Sequence, residues 1–232
     1  MKKARILNLC SLIVNLSVIF FTVGAVSYSF RTDVIVDPIW FGYRGFKSLV
    51  FFTNLSNILA ALASAVTLCF NFKNVVKDEY AFPKFAVVLK FVATVSLTVT
   101  FMTVVFFLAP IFAFSGKGYF TLFSGYNFIL HFLTPVLEIA SFLFFEKGLG
   151  LGFGYTFVGI IPVLLYGAVY IVMVALIGEE NGGWADFYGF TFGGKTWVIP
   201  FSIAGMLSAS YLFSLSLWFF ARKTNAKISE TK

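Results

Sequence analysis

"YFTLFSGYNFILHFLTPVLEIASFLFF", residues 119–145, places one histidine, one proline and one carboxylate in an otherwise oily run. A helix crossing the hydrocarbon core needs roughly 20 mostly apolar residues, and this run is long enough. Further runs at about 6–30, 49–72, 85–111, 155–177 and 196–220 take up most of what remains of the chain. The expected fold is therefore all-α, a polytopic membrane protein in which residues 1–232 form a single bundle of six transmembrane helices.

Composition leads to the same expectation. Of 232 residues 59% are hydrophobic and 12% charged, with 33 phenylalanines, far outside the usage of soluble domains. Cys10 and Cys69 both fall in apolar runs, where they read as small packing residues rather than a disulfide or a zinc site. No cluster with metal-ligand spacing is legible, and no cofactor is implied. The net charge of +7 does not point to nucleic acid, because the basic residues sit in short groups between apolar runs. They read instead as topology signals. Lys2, Lys3, Arg5, Lys73, Lys77, Lys84, Lys90, Lys147, Arg222, Lys223, Lys227 and Lys232, twelve in all, fall on one side, against five on the other: Arg31, Arg44, Lys47, Lys117 and Lys195. The positive-inside rule then puts both termini in the cytoplasm and loops 31–48, 112–118 and 178–195 outside. This implies an integral membrane protein, of the inner membrane in a bacterium, or of the endoplasmic reticulum or plasma membrane in a eukaryote. The first run exceeds the roughly 7–15 residues of a signal-peptide core and reads as a retained span. "GLGLGFG", residues 148–154, follows a helix with no strand before it, so it reads as a flexible cytoplasmic turn rather than a phosphate loop.

Polar side chains in hydrocarbon need partners, so they carry most of the information. His131 lies about twelve residues into its run, roughly 18 Å along a helix, near mid-membrane. Asn127, Thr134 and Glu138 share its stripe at helical spacing. Pro135 cannot bond the carbonyl four residues back, which is that of His131, so a bend and a polar cavity are expected there. Glu138 needs a partner inside the bundle, with Lys90 or hydroxyls of the third run within reach. "FFTNLSN", residues 51–57, forms a second polar group at the outer end of the second run, with Thr53 and Asn57 one turn apart and Asn54 on a neighbouring face. Each has a purely structural reading: hydroxyls in membrane helices bond their own i−4 carbonyl, and a buried histidine can tie two helices together. Asn15, Thr94, Thr98, Tyr166, Tyr170, Ser202 and Ser210 read as interhelical bonding groups.

With "FFTNLSNIL" and "NFILHFLTPVLE" both in view, the chain resembles the androgen-induced-gene family of six-span membrane proteins and its bacterial relatives. The likeness extends over almost the whole six-span layout. It implies threonine-dependent hydrolysis of fatty acid esters of hydroxy fatty acids, with Thr53 as nucleophile and His131 as base. A looser match is "WADFYGFTFGG", residues 184–194, where bacterial relatives have an aromatic and proline-rich run; the prolines are missing here. Trp184 and Tyr188 of this loop are its candidate substrate-binding residues.

The implied chemistry is coherent. A threonine hydroxyl needs an adjacent base, and a histidine supplies one if an acceptor orients its other ring nitrogen. Glu138, a backbone carbonyl and a tyrosine are candidate orienters, while Asn54, Asn57 and Asn127 are candidate oxyanion donors. A membrane lipid or fatty-acyl ester is the expected partner, released by water or passed on by a related acyl transfer. Thr53 lies only about five residues into its run, however, so contact with His131 requires a later start for that helix, or a bend and tilt that lift His131 outward. The competing class is a transporter or proton-coupled channel with His131 and Glu138 as a relay.

Overall fold

The computed structural model describes residues 3–31, 45–77, 79, 81–146 and 150–229. Six helices are long and apolar enough to cross a membrane: span 1 (Arg5–Arg31), span 2 (Phe52–Lys77), span 3 (Lys84–Phe114), span 4 (Tyr126–Glu146), span 5 (Tyr155–Ile177) and span 6 (Thr196–Thr224). The chain is an integral membrane protein of all-α class, and no strand occurs among the described residues.

Span 3 is the axis of the bundle. It packs against spans 2, 4, 5 and 6, and from Ala93 to Thr100 every residue is buried. Its buried hydroxyls at Thr94, Ser96, Thr98 and Thr100 each bond the carbonyl four residues back, so they are satisfied within the helix itself. Spans 1 and 2 pair along their length, with Val18 of one against Ala60 and Ala63 of the other; small side chains let the two backbones approach closely. Cys10 is half-buried, whereas Cys69 is exposed on the outer surface of the bundle rather than packed inside it.

Two helices start later than their hydropathy suggests. Span 2 begins at Phe52 because Gly45–Val50 winds as a 3-10 segment, and span 4 begins at Tyr126 because Tyr119–Phe123 does the same. In the second case Gly118 and Gly125, at φ +84° and +56°, turn the backbone on both sides of the segment. Oily composition and helical continuity are different properties, and only the first is visible to a hydropathy window.

Two of the prolines inside the spans, Pro110 and Pro135, share one arrangement. A π turn, Val104–Leu108, precedes Pro110, and another, Ile129–Leu133, precedes Pro135. In each the residue before the proline bonds a carbonyl five residues back, Ala109 to Val104 and Thr134 to Ile129. In that wider register the carbonyls that the prolines fail to serve are those of Val105 and Leu130. Each is met from elsewhere: the Tyr119 hydroxyl donates to Val105 at 2.9 Å and the Asn57 amide to Leu130 at 3.1 Å. The distortion at Pro135 is thus a π turn, and the carbonyl served from another helix is one residue earlier than an α-helical register assigns.

Lys90 was counted among the cytoplasmic flanking charges, but it is 1% exposed inside the bundle. Eleven basic residues against five still favour the same orientation. Part of the 148–154 turn is docked: Leu151 is buried and its carbonyl accepts the Trp218 indole N–H at 2.9 Å, while residues 148 and 149 lie outside the described residues.

Candidate active site

The start of span 2 is held by side chains from other elements. Asn54 donates to the Ser48 carbonyl at 2.7 Å, and the Tyr166 hydroxyl donates to the Val50 carbonyl at 2.6 Å. The first backbone N–H groups of a helix have no internal acceptor and carry partial positive charge. Here the Phe52 N–H donates to the Tyr188 hydroxyl oxygen at 3.0 Å, whereas no acceptor among the described residues takes the N–H of Thr53. Burial pushes the Tyr188 phenol up to about 12, so it stays neutral and keeps this contact across physiological pH.

The Thr53 hydroxyl also makes no hydrogen bond among the described residues, and its helical position explains why. Thr67, Thr94, Ser96, Thr98 and Thr100 each bond the carbonyl four residues back in their own helix. Thr53 is the second residue of span 2, so no helical carbonyl lies four residues behind it. Its carbonyl, by contrast, is engaged, accepting from Ser56 and Asn57 at 3.0 and 2.8 Å.

His131 sits inside the π turn of span 4 and is buried. Its Nδ1 lies 2.7 Å from the Leu122 carbonyl oxygen. A carbonyl only accepts, so Nδ1 carries the proton and Nε2 of the neutral ring keeps its lone pair. The orienting group is a backbone carbonyl of the 3-10 segment before span 4. The late starts of spans 2 and 4 also reduce the axial mismatch. Thr53 is one residue and His131 five residues beyond its helix start, so the offset falls to about 6 Å at 1.5 Å per residue.

Thr53 and His131 line one cavity together with Asn54, Asn127, Tyr126 and Tyr188. A second cavity lies between spans 2, 3, 5 and 6, with Val104, Val163, Ile203 and Met206 in its wall. Thr53 and Tyr188 belong to both walls, so the free hydroxyl stands where the two cavities meet.

Three candidates fall outside this arrangement. Asn57 gives its two amide hydrogens to the Thr53 and Leu130 carbonyls and accepts from the Thr134 hydroxyl, leaving no donor for an oxyanion. Glu138 does not orient His131: its Oε2 accepts from Lys90 at 2.7 Å and from Ser64 at 3.3 Å. Trp184 lines neither cavity and packs against Tyr166, Tyr170 and Phe187. No family model, curated protein or solved structure matches the chain.

Two contributors were not legible in sequence. The Leu122 carbonyl is backbone and leaves no residue-type signal. Asp186 shapes the outer loop by accepting from the Tyr170 hydroxyl at 2.6 Å and from the Phe190 and Thr191 N–H groups at 2.8 and 2.7 Å, which sets Tyr188 over the start of span 2. A lone carboxylate amid aromatics and glycines was its available sign.

Proposed function

We propose that this chain is an intramembrane lipid-ester hydrolase in which Thr53 is the nucleophile and His131 the base. The substrates are fatty-acyl esters, of the kind formed between a fatty acid and a hydroxy fatty acid. One observation carries the reading: an unbonded threonine hydroxyl and a histidine whose remaining nitrogen is an acceptor line the same cavity. The resemblance of "FFTNLSNIL" and "NFILHFLTPVLE" to threonine-dependent membrane hydrolases supports the same residues.

In this reading Thr53 Oγ attacks the ester carbonyl carbon while its proton passes to His131 Nε2. Negative charge gathers on the carbonyl oxygen. The Thr53 N–H, unbonded among the described residues and backed by the positive end of the span 2 helix, is a backbone donor for that charge, and Asn54 and Asn127 line the same space. The C–O bond to the alcohol breaks and the alcohol leaves with the proton from His131. Water then attacks the acyl-threonine with His131 again as base, releasing the fatty acid. Both cavities have mostly apolar walls, which suits an acyl chain, while Asn54, Asn127 and His131 give the first one polar groups for the departing alcohol and the water. An acceptor alcohol in place of water would make the same intermediate an acyltransferase. A relay from His131 to Glu138 is less well supported, since Glu138 is bonded to Lys90 and Ser64 and His131 to Leu122. In a bacterial host the site belongs at the outer face of the inner membrane.

Purified protein in lipid nanodiscs is expected to release fatty acid from a long-chain ester of a hydroxy fatty acid. Thr53→Ala should lose this activity at unchanged Tm. Equal turnover by Thr53→Ala and wild type would refute the assignment of the nucleophile.

A further inference from the structure

Spans 1 to 4 enclose a second polar cluster, centred on Lys90, Glu138 and Glu146, none more than 4% exposed. Lys90 Nζ gives its three hydrogens to Asn15 Oδ1, Ser64 Oγ and Glu138 Oε2 at 2.6, 3.0 and 2.7 Å. Three donor bonds describe a full ammonium. Glu146 Oε1 accepts from Ser11 at 2.9 Å, from Ser141 at 2.6 Å and from Asn15, and its Oε2 lies 3.7 Å from Lys90. One cation thus faces two carboxylates. An unbalanced charge buried in hydrocarbon is costly, and such a group neutralises rather than stay ionised.

A separate observation locates the missing positive charge. Glu138 Oε1, Glu146 Oε2 and Asn71 Oδ1 are buried with no hydrogen-bond partner, and Asn71 joins the cluster by donating to Ser11 at 2.8 Å. All three are acceptors without a donor. From these observations we propose that the cluster is a proton-binding site, with one proton held on the unbonded carboxylate oxygen of Glu138 or of Glu146. Binding forms one O–H bond on a carboxylate and breaks none within the protein.

Among the described residues no other titratable group joins these bonds. Span 1 contributes Ser11 and Asn15, span 2 contributes Ser64 and Asn71, and span 4 adds Ser141 to its two carboxylates. Span 6 packs Leu217 and Ala221 near this end of span 4, with Arg222 held 4.9 Å over the Trp218 ring. A small cleft with Lys90, Glu146, Thr67 and Phe82 in its wall lies beside the cluster. The proposal is independent of the hydrolase reading, because none of these groups lines the Thr53 cavity.

Infrared spectroscopy in H₂O and D₂O tests it directly, since Glu138 and Glu146 are the carboxylates inside the spans. The wild type at neutral pH should show the C=O stretch of a buried carboxylic acid, shifted by deuterium and lost in Glu138→Gln or in Glu146→Gln. Because the native state holds a proton that unfolded carboxylates release, wild-type Tm should fall as pH rises through this titration, while the glutamine variants stay flat. Absence of the acid band from folded wild-type protein overturns the proposal, whatever the variants do. So does a Tm that responds to sodium at constant ionic strength but not to pH.

Discussion

Spans 2 and 4 carry two polar regions that a hydropathy plot cannot tell apart. At one end Thr53 and His131 line a cavity, with the Thr53 hydroxyl and the His131 Nε2 left without hydrogen-bond partners among the described residues. Further along the same helices, Ser64 and Glu138 join Lys90, Asn15 and Glu146 in a packed network whose donors are all bonded and whose three unmet groups are acceptors. Both regions break the rule that membrane interiors are apolar, and they do so for opposite physical reasons. A network that exhausts its donors ties helices together and has nothing left for a substrate. A hydroxyl at a helix start, with no carbonyl four residues behind it, stays available for chemistry. The difference lies in which bonds are already made rather than in residue type.

That contrast can be broken by mutation, and the largest effect is expected at Thr53. Thr53→Ala should bring ester hydrolysis to background with native Tm and helicity; residual turnover near wild type would put the site in the wrong place. Next comes His131→Ala, expected to lower turnover about 10²–10⁴-fold, the usual contribution of a positioned base. Wild-type activity should fall in acid as Nε2 takes a proton, and a pH-rate profile of the variant should lack that limb.

The closed network predicts the reverse pattern. Lys90→Met strands two buried carboxylates and should cost about 3–5 kcal/mol of stability, read by thermal or denaturant unfolding in detergent. Asn57→Ala should cost about 1–3 kcal/mol by leaving the Leu130 carbonyl unmet, a stability loss that separates its role from that of an oxyanion donor. Smallest is Tyr188→Phe, which removes the acceptor of the Phe52 N–H and should cost about 1 kcal/mol.

The six-span architecture was legible because transmembrane length and hydropathy are local properties of sequence. Thr53 and His131 were legible as candidates because polar groups in oil are conspicuous and their surrounding motifs resemble a known family. What sorted the candidates was not legible. Asn57 looks like a free amide in sequence, yet the π turn before Pro135 gives it a carbonyl to serve. Glu138 shares the stripe of His131 at i+7, but its partner comes from span 3, a pairing set by how helices pack. The late start of span 4 depends on two glycines inside an apolar run, where hydropathy registers no interruption.

The assignment of the free hydroxyl as nucleophile is most directly tested by treating the protein in its membrane with a long-chain fluorophosphonate, then mapping the adduct by peptide mass spectrometry. The expected result is a single phosphonylated peptide modified at Thr53, with labelling lost in Thr53→Ala and slowed in His131→Ala. An adduct on another residue, or no adduct under conditions that label a control hydrolase, would contradict it.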